Sequence, residues 1–193
     1  MDTKRVFVAL DISDQARDAV AKYVDRLRAK HPDVRARWLP PKNLHITLRF
    51  VGDVDGNGLA KLDEDVKNAA GKFEPFIVTL AGTGNFAKRK IRADALWLGM
   101  TSVASDRKTD VLEDIAAALS PDDTGRRFVP HLTIARIKDV SQATSLVADH
   151  LASTFGAVSF TASELIVYES TLRPTGSVYS VLIRHPLAER AIS

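Results

Sequence analysis

The chain of 193 residues contains no cysteine. That absence removes disulfides, thiolate zinc sites, iron–sulfur clusters and cysteine nucleophiles together. No run of about 18 apolar residues occurs, so no membrane span is expected. The segment from Met1 to Asp11 is charged and strand-like. It lacks the apolar stretch and small-residue cleavage site of a secretory signal, and a cytoplasmic protein is the expectation. A G-x-S-x-G elbow, a phosphate-binding P-loop and a dinucleotide fingerprint are missing too. Neither charge sign dominates: 27 Lys and Arg oppose 24 Asp and Glu, for a net charge of +3. The pI near 9.2 suits a phosphate-bearing ligand without demanding one. What remains is ordinary globular composition, 45% hydrophobic and 26% charged, long enough to bury a sizeable core.

Against this plain background two short stretches repeat each other. His45-Ile46-Thr47-Leu48 and His131-Leu132-Thr133-Ile134 share one pattern, histidine, aliphatic, threonine, aliphatic. A strand points alternate side chains to opposite faces. His45 and Thr47 therefore share one face, and Ile46, Leu48 and Phe50 share the other, toward the core. His131 and Thr133 likewise oppose Leu132 and Ile134. Same-face neighbours lie roughly 7 Å apart, so two such strands brought together would offer two imidazoles and two hydroxyls to one small charged ligand.

The surrounding pattern is also repeated. Val6 to Leu10 reads as a buried strand, followed by a helix capped at Ser13 that runs to about Ala29. Pro32 and Pro40-Pro41 mark loop before the first histidine strand, His45 to Val51. A second helix is expected over Leu59 to Lys72, then a strand from Phe76 to Leu80 and a loop opened by Gly82-Thr83-Gly84. Ala95 to Met100 reads as a strand, Arg107 to Leu119 as a helix, and His131 opens the second histidine strand. A fourth helix, capped at Ser141, runs to about Phe155, and Ser159 to Glu169 and Val178 to Arg184 close the chain as strands. Strand, helix, loop, histidine strand thus occurs twice, with the two histidines 86 residues apart. The expected fold is α+β: two pseudo-symmetric lobes, each an antiparallel sheet with helices on its outer face, facing each other across a central groove, and together forming one domain over residues 1–193.

His31, His150 and His185 lack repeated neighbours and read as structural histidines, whereas His45 and His131 come as a matched pair. Metal binding would want three or four ligands. The pair has no cysteine, no helical two-histidine spacing and no carboxylate on the same strand faces, so no metal and no cofactor are expected.

With these residues the chain resembles the two-histidine phosphoesterases, specifically the bacterial and archaeal RNA 2′,3′-cyclic phosphodiesterases, also called 2′-5′ RNA ligases. The resemblance is carried by Arg5 to Leu10, by Trp38 to Gly52, by Phe128 to Arg136, and by Tyr168-Glu169-Ser170 with Gly176 and Tyr179. It implies hydrolysis of a cyclic phosphate to a 2′-phosphomonoester on RNA ends or nucleotides, possible reverse ligation, and a monomer that does not engage membranes. Two histidines with unperturbed pKa near 6.5 suit paired acid–base work. The resemblance assigns His45 as proton donor and His131 as proton acceptor, with Thr47 and Thr133 donating to phosphoryl oxygens. Arg136 matches a family arginine that contacts phosphate, yet strict alternation puts it on the face opposite His131 unless the strand twists or bulges after Ala135. Arg49, four residues after His45, stays on the groove face and is the alternative phosphate partner. Phe128 offers a stacking surface, while Phe50 alternates toward the core. The chain departs from the family's compact link with a basic stretch, Lys88 to Arg92, that either lines the groove or is simply solvated. Two other functions compete: a binding module that holds a nucleotide or RNA end without turnover, and a cyclic phosphodiesterase acting on a non-RNA substrate such as one derived from ADP-ribose.

Overall fold

The computed structural model describes residues 2–88, 92–102, 110–120, 128–137, 142–174 and 176–189, apart from the side chains of 87, 88 and 92–94. Local signals start the helices. Ser13 Oγ accepts the Ala16 N–H at 3.2 Å and begins α1, Asp14–Lys30, whose stripe Ala16, Val20, Tyr23, Val24 and Leu27 is buried. Asp55 caps α2, Gly56–Ala70, and Asp110 caps α3, Val111–Leu119. The fourth helix, α4, Thr144–Ala152, has Ala143 at its N-cap position. Residues 107–109 and 141, expected to open the third and fourth helices, lie outside the described residues.

The strands form two wholly antiparallel sheets. In the first, β3 (His45–Val54) borders β1 (Lys4–Asp11), which pairs with β8 (Glu164–Arg173) and through it with β9 (Gly176–Pro186). In the second the order is β2 (Ala36–Trp38), β6 (His131–Ile137), β5 (Arg92–Thr101), β4 (Phe76–Lys88) and β7 (Val158–Ala162). The α+β architecture with two antiparallel sheets is as expected. The helices are exchanged between the sheets: α1 follows β1 but packs on β7 and α4, and α3 follows β5 but packs on β3 and α2.

Three expectations change. The piece Gly82-Thr83-Gly84 is not a loop but part of β4. Gly82, at φ +77, absorbs a register shift between Leu80 and Thr83, and Gly84 leaves room for the Trp97 ring, which a Cβ there would approach to 2.2 Å. The run from Ser159 to Glu169 is two strands, because the chain crosses from the second sheet to the first at Ser163. The short strand β2 lies in a region read as loop. The apolar sides of both sheets and all four helices share one buried cluster, including Leu10, Ile46, Leu98, Ile115, Leu132 and Leu146. Burial of each such side chain is worth roughly 1.5–3 kcal/mol. No described helix is long and apolar enough to cross a membrane.

Candidate active site

The two histidine strands meet across the groove between the sheets. On β3 the core face carries Ile46 and Leu48, both buried, and the groove face carries His45 and Thr47. On β6 Leu132 and Ile134 are fully buried behind His131 and Thr133. All four polar residues line one cavity of about 430 Å³.

Each imidazole is oriented in the same way. His45 Nδ1–H donates to the Asn43 carbonyl at 2.7 Å, and His131 Nδ1–H donates to the Val129 carbonyl at 2.8 Å. Both acceptors lie two residues upstream. This fixes the tautomer and leaves Nε2 as the nitrogen free to exchange a proton. Aromatic rings crowd both. Phe7 and Tyr179 sit 4.8 and 5.1 Å from the His45 ring, and Phe86 sits 4.8 Å from His131. Burial accordingly pushes both imidazoles below the ordinary histidine pKa, while each carbonyl partner pulls the other way. The pair is not symmetric in charge. Asp11, the cross-strand partner of His45, favours its protonated form, whereas Arg136 disfavours the protonated form of both, and the charge of His131 is felt at His45.

Behind each threonine the strand carries the same irregularity. In β3 the register steps from Ala9↔Thr47 to Val8↔Arg49, and in β6 from Trp97↔Thr133 to Leu96↔Ala135. One residue, Leu48 or Ile134, is thereby skipped. Such a bulge reverses the alternation for the residues that follow. Arg136 comes to the groove face and lines the cavity, and the bulge that brings it there lies just before Ala135 rather than after it. Phe50, its counterpart five residues after the other histidine, comes to the groove face as well. It is 74% exposed, lines the cavity, and rests against Phe7 with ring centroids 6.2 Å apart, so its expected core position is corrected. Arg49 is turned the opposite way. Its guanidinium donates to the Leu119 carbonyl at 2.6 Å and stands 4.0 Å from Asp65, outside the cavity lining, which removes it as a phosphate partner.

Phe128 packs against the shared core, and the side chains of the basic stretch Lys88 to Arg92 lie outside the described residues. The other histidines have structural partners. His31 pairs with Asp149 at 2.8 Å and His185 with Asp63 at 2.6 Å. His150 is fully buried between the Tyr23 hydroxyl and the carbonyls of Gly84 and Trp97. Among the described residues no three His, Cys, Asp or Glu side chains converge as a metal-ligand set. Sequence reasoning missed Asn43 and Val129, whose backbone carbonyls do the work and leave no side-chain signal. It also missed Arg37 on β2, which lines the cavity.

The family model for LigT like phosphoesterase matches residues 10–97 and 104–179, a span that includes both histidine strands. The chain belongs to the LigT-like phosphoesterase family. Among relatives, the RNA 2′,3′-cyclic phosphodiesterase of Methanothermobacter thermautotrophicus is 32% identical over 91% of this chain and 95% of its own. That of Thermotoga maritima is 29% identical over 92% of each. Among solved structures, E. coli LigT in complex with NADP+ superposes with a TM-score of 0.71 at 26% identity, covering 97% of this chain and 100% of its own. The similarity to that structure thus extends over nearly the whole two-sheet arrangement, within which the cavity described above lies.

Proposed function

We propose that this phosphoesterase opens a 2′,3′-cyclic phosphate at an RNA end or nucleotide to a 2′-phosphomonoester, with His45 as general acid and His131 as general base and without a metal ion. The observation that carries the reading is the paired imidazoles, one from each sheet, each with Nδ1 tied to a carbonyl and both lining the same cavity. In the reaction His131 Nε2 takes a proton from water as its oxygen attacks phosphorus. The bond from phosphorus to the ribose 3′ oxygen breaks on the opposite side, and His45 Nε2–H supplies the proton to that oxygen. The hydroxyls of Thr47 and Thr133 and the Arg136 guanidinium donate to the non-bridging oxygens, where charge builds. The strain of the five-membered ring lowers the barrier that a metal would otherwise have to reduce.

Asp11 beside His45 supports His45 as the group that starts protonated. The names of the curated relatives support the substrate. NADP+, found with E. coli LigT, carries a ribose 2′-phosphate, the same chemical class as the product proposed here. With a 5′-hydroxyl in place of the water, the same groups would form a 2′–5′ linkage. Phe50 provides a surface on which the base of the reacting nucleotide stacks.

The test is turnover of nucleoside 2′,3′-cyclic phosphates with chelator present, with the monoester position read by NMR. A 2′-phosphate product and full activity in chelator are expected. His45→Ala and His131→Ala should each lose roughly 10²–10⁴-fold. Chelator-sensitive turnover, or an active His45→Ala enzyme, overturns the mechanism; tight nucleotide binding with no turnover would point instead to a binding module.

A further inference from the structure

Arg37 has no part in the reaction just derived, yet it lines the same cavity. It stands opposite Arg136 in the register of β2 and β6, so both side chains rise from one face of the second sheet. Like charges directly opposite each other on a sheet repel. Some other arginines are matched, Arg17 by Asp11 and Arg184 by Glu164. Among the described residues no carboxylate lies within ion-pair distance of Arg37. An unrelieved pair of cations in a cavity is what an anionic ligand neutralises.

The first sheet is shaped around this guanidinium. The hairpin between β8 and β9 turns at Gly176, φ +133, and a Cβ there would lie 2.9 Å from Arg37 Nη2. Asn43 Nδ2–H holds the same hairpin by donating to the Ser177 carbonyl at 2.9 Å. The Arg37 head is therefore drawn toward the hairpin, one strand further out than Arg136. Adjacent strands are roughly 4.8 Å apart, which separates it from the phosphate held at the histidines.

We propose that Arg37 binds a second phosphate of the substrate, on the 5′ side of the reacting nucleotide. The preferred substrate class is then a cyclic-phosphate end that carries a further phosphate, either the phosphodiester of an RNA chain or a 5′-monophosphate, and not a bare nucleoside cyclic phosphate. This rests on the proposed reaction for its substrate and on the Arg37 geometry for its site.

Calorimetry with adenosine 2′-monophosphate and adenosine 2′,5′-bisphosphate separates the two. Wild type should bind the bisphosphate roughly tenfold or more tightly than the monophosphate, the scale of one charge-assisted arginine fork. Arg37→Ala should close that gap, and Arg37→Lys should restore it in part. The kcat/KM of adenosine 2′,3′-cyclic phosphate is compared with that of its 5′-phosphorylated form and of the dinucleotide ending in the cyclic phosphate. An advantage for both phosphorylated substrates indicates any 5′-phosphate, and an advantage for the dinucleotide alone indicates an RNA phosphodiester. Equal affinity of wild type for the two nucleotides overturns the site, as does an Arg37→Ala loss of equal size on both. If no cyclic phosphate is turned over at all, the proposed reaction fails, and the two binding constants still decide Arg37.

Discussion

A backbone carbonyl two residues upstream holds each paired imidazole by Nδ1, at 2.7 Å for His45 and 2.8 Å for His131. The carbonyl cannot be lost by changing a side chain, so the orientation is written into the strand entry. The aromatic packing that excludes water has an electrostatic effect, since it pushes both pKa values down. The sign of the pH dependence follows. In the proposed reaction His45 must keep its proton, so activity is expected to fall as pH rises through its lowered pKa. As the proposed base, His131 must be neutral, so activity is expected to fall as pH drops through its own. The kcat/KM profile is expected to be bell-shaped and displaced to the acid side of an unperturbed histidine pair. The bound cyclic phosphate, a monoanion, favours both imidazolium forms, so the kcat profile should sit at higher pH than that of kcat/KM. Coincident profiles, or an alkaline optimum for kcat/KM, would contradict the assigned roles.

At the scale of the element, one skipped residue after each H-x-T decides what faces the cavity. Phe50→Ala is predicted to leave stability within about 0.5 kcal/mol, as expected of an exposed side chain. It should raise KM for nucleoside cyclic phosphates by roughly 5- to 150-fold, the range of one base stacked on an aromatic ring. Arg49→Met should behave in the opposite way. It leaves the Leu119 carbonyl without its 2.6 Å donor, costing about 1–3 kcal/mol in urea unfolding while KM stays unchanged. Equal effects of both substitutions on KM would refute the reversed alternation. These two positions also show how far the sequence is legible. The H-x-T pairs, their buried neighbours Ile46, Leu48, Leu132 and Ile134, and the Ser13-capped start of α1 follow from local signals. Strict alternation misplaces Phe50, Arg49 and Arg136, because a bulge is set by the register of a partner strand distant in sequence and leaves no mark in its own residues. Gly82 is misread for a related reason: a positive φ serves a turn or a bulge equally well, and only the partner strand β5 distinguishes them. Arg37 gives no signal because a three-residue strand is too short to show a period.

Across the whole molecule the two lobes interlock. The sheet that carries His45 takes its covering helices from α2 and α3, and the sheet that carries His131 takes them from α1 and α4. Neither lobe has a core that closes without the other, so urea unfolding should show one transition, coincident by tryptophan fluorescence and circular dichroism. His45, His131 and His150 all have native pKa values lowered by burial. The unfolded chain, with histidines near 6.5, therefore binds more protons than the native one below that pH. The contribution is complete above about pH 6.5 and is lost as pH falls through the lowered native values. The unfolding midpoint should drop between pH 7 and 5, and the drop should be smaller in a His45→Ala, His131→Ala double variant. A midpoint flat over that range would show that these groups ionise alike in both states.

The place of β1 in its sheet has a temporal consequence. It sits between β3 and β8, so one of its edges stays open until residues beyond 164 are available. During synthesis both histidine strands emerge before the wall carrying Tyr168 and Tyr179 and the hairpin over Arg37. A nascent chain therefore carries both histidine motifs before it has a complete pocket wall, and the cavity closes only when β8 and β9 have followed.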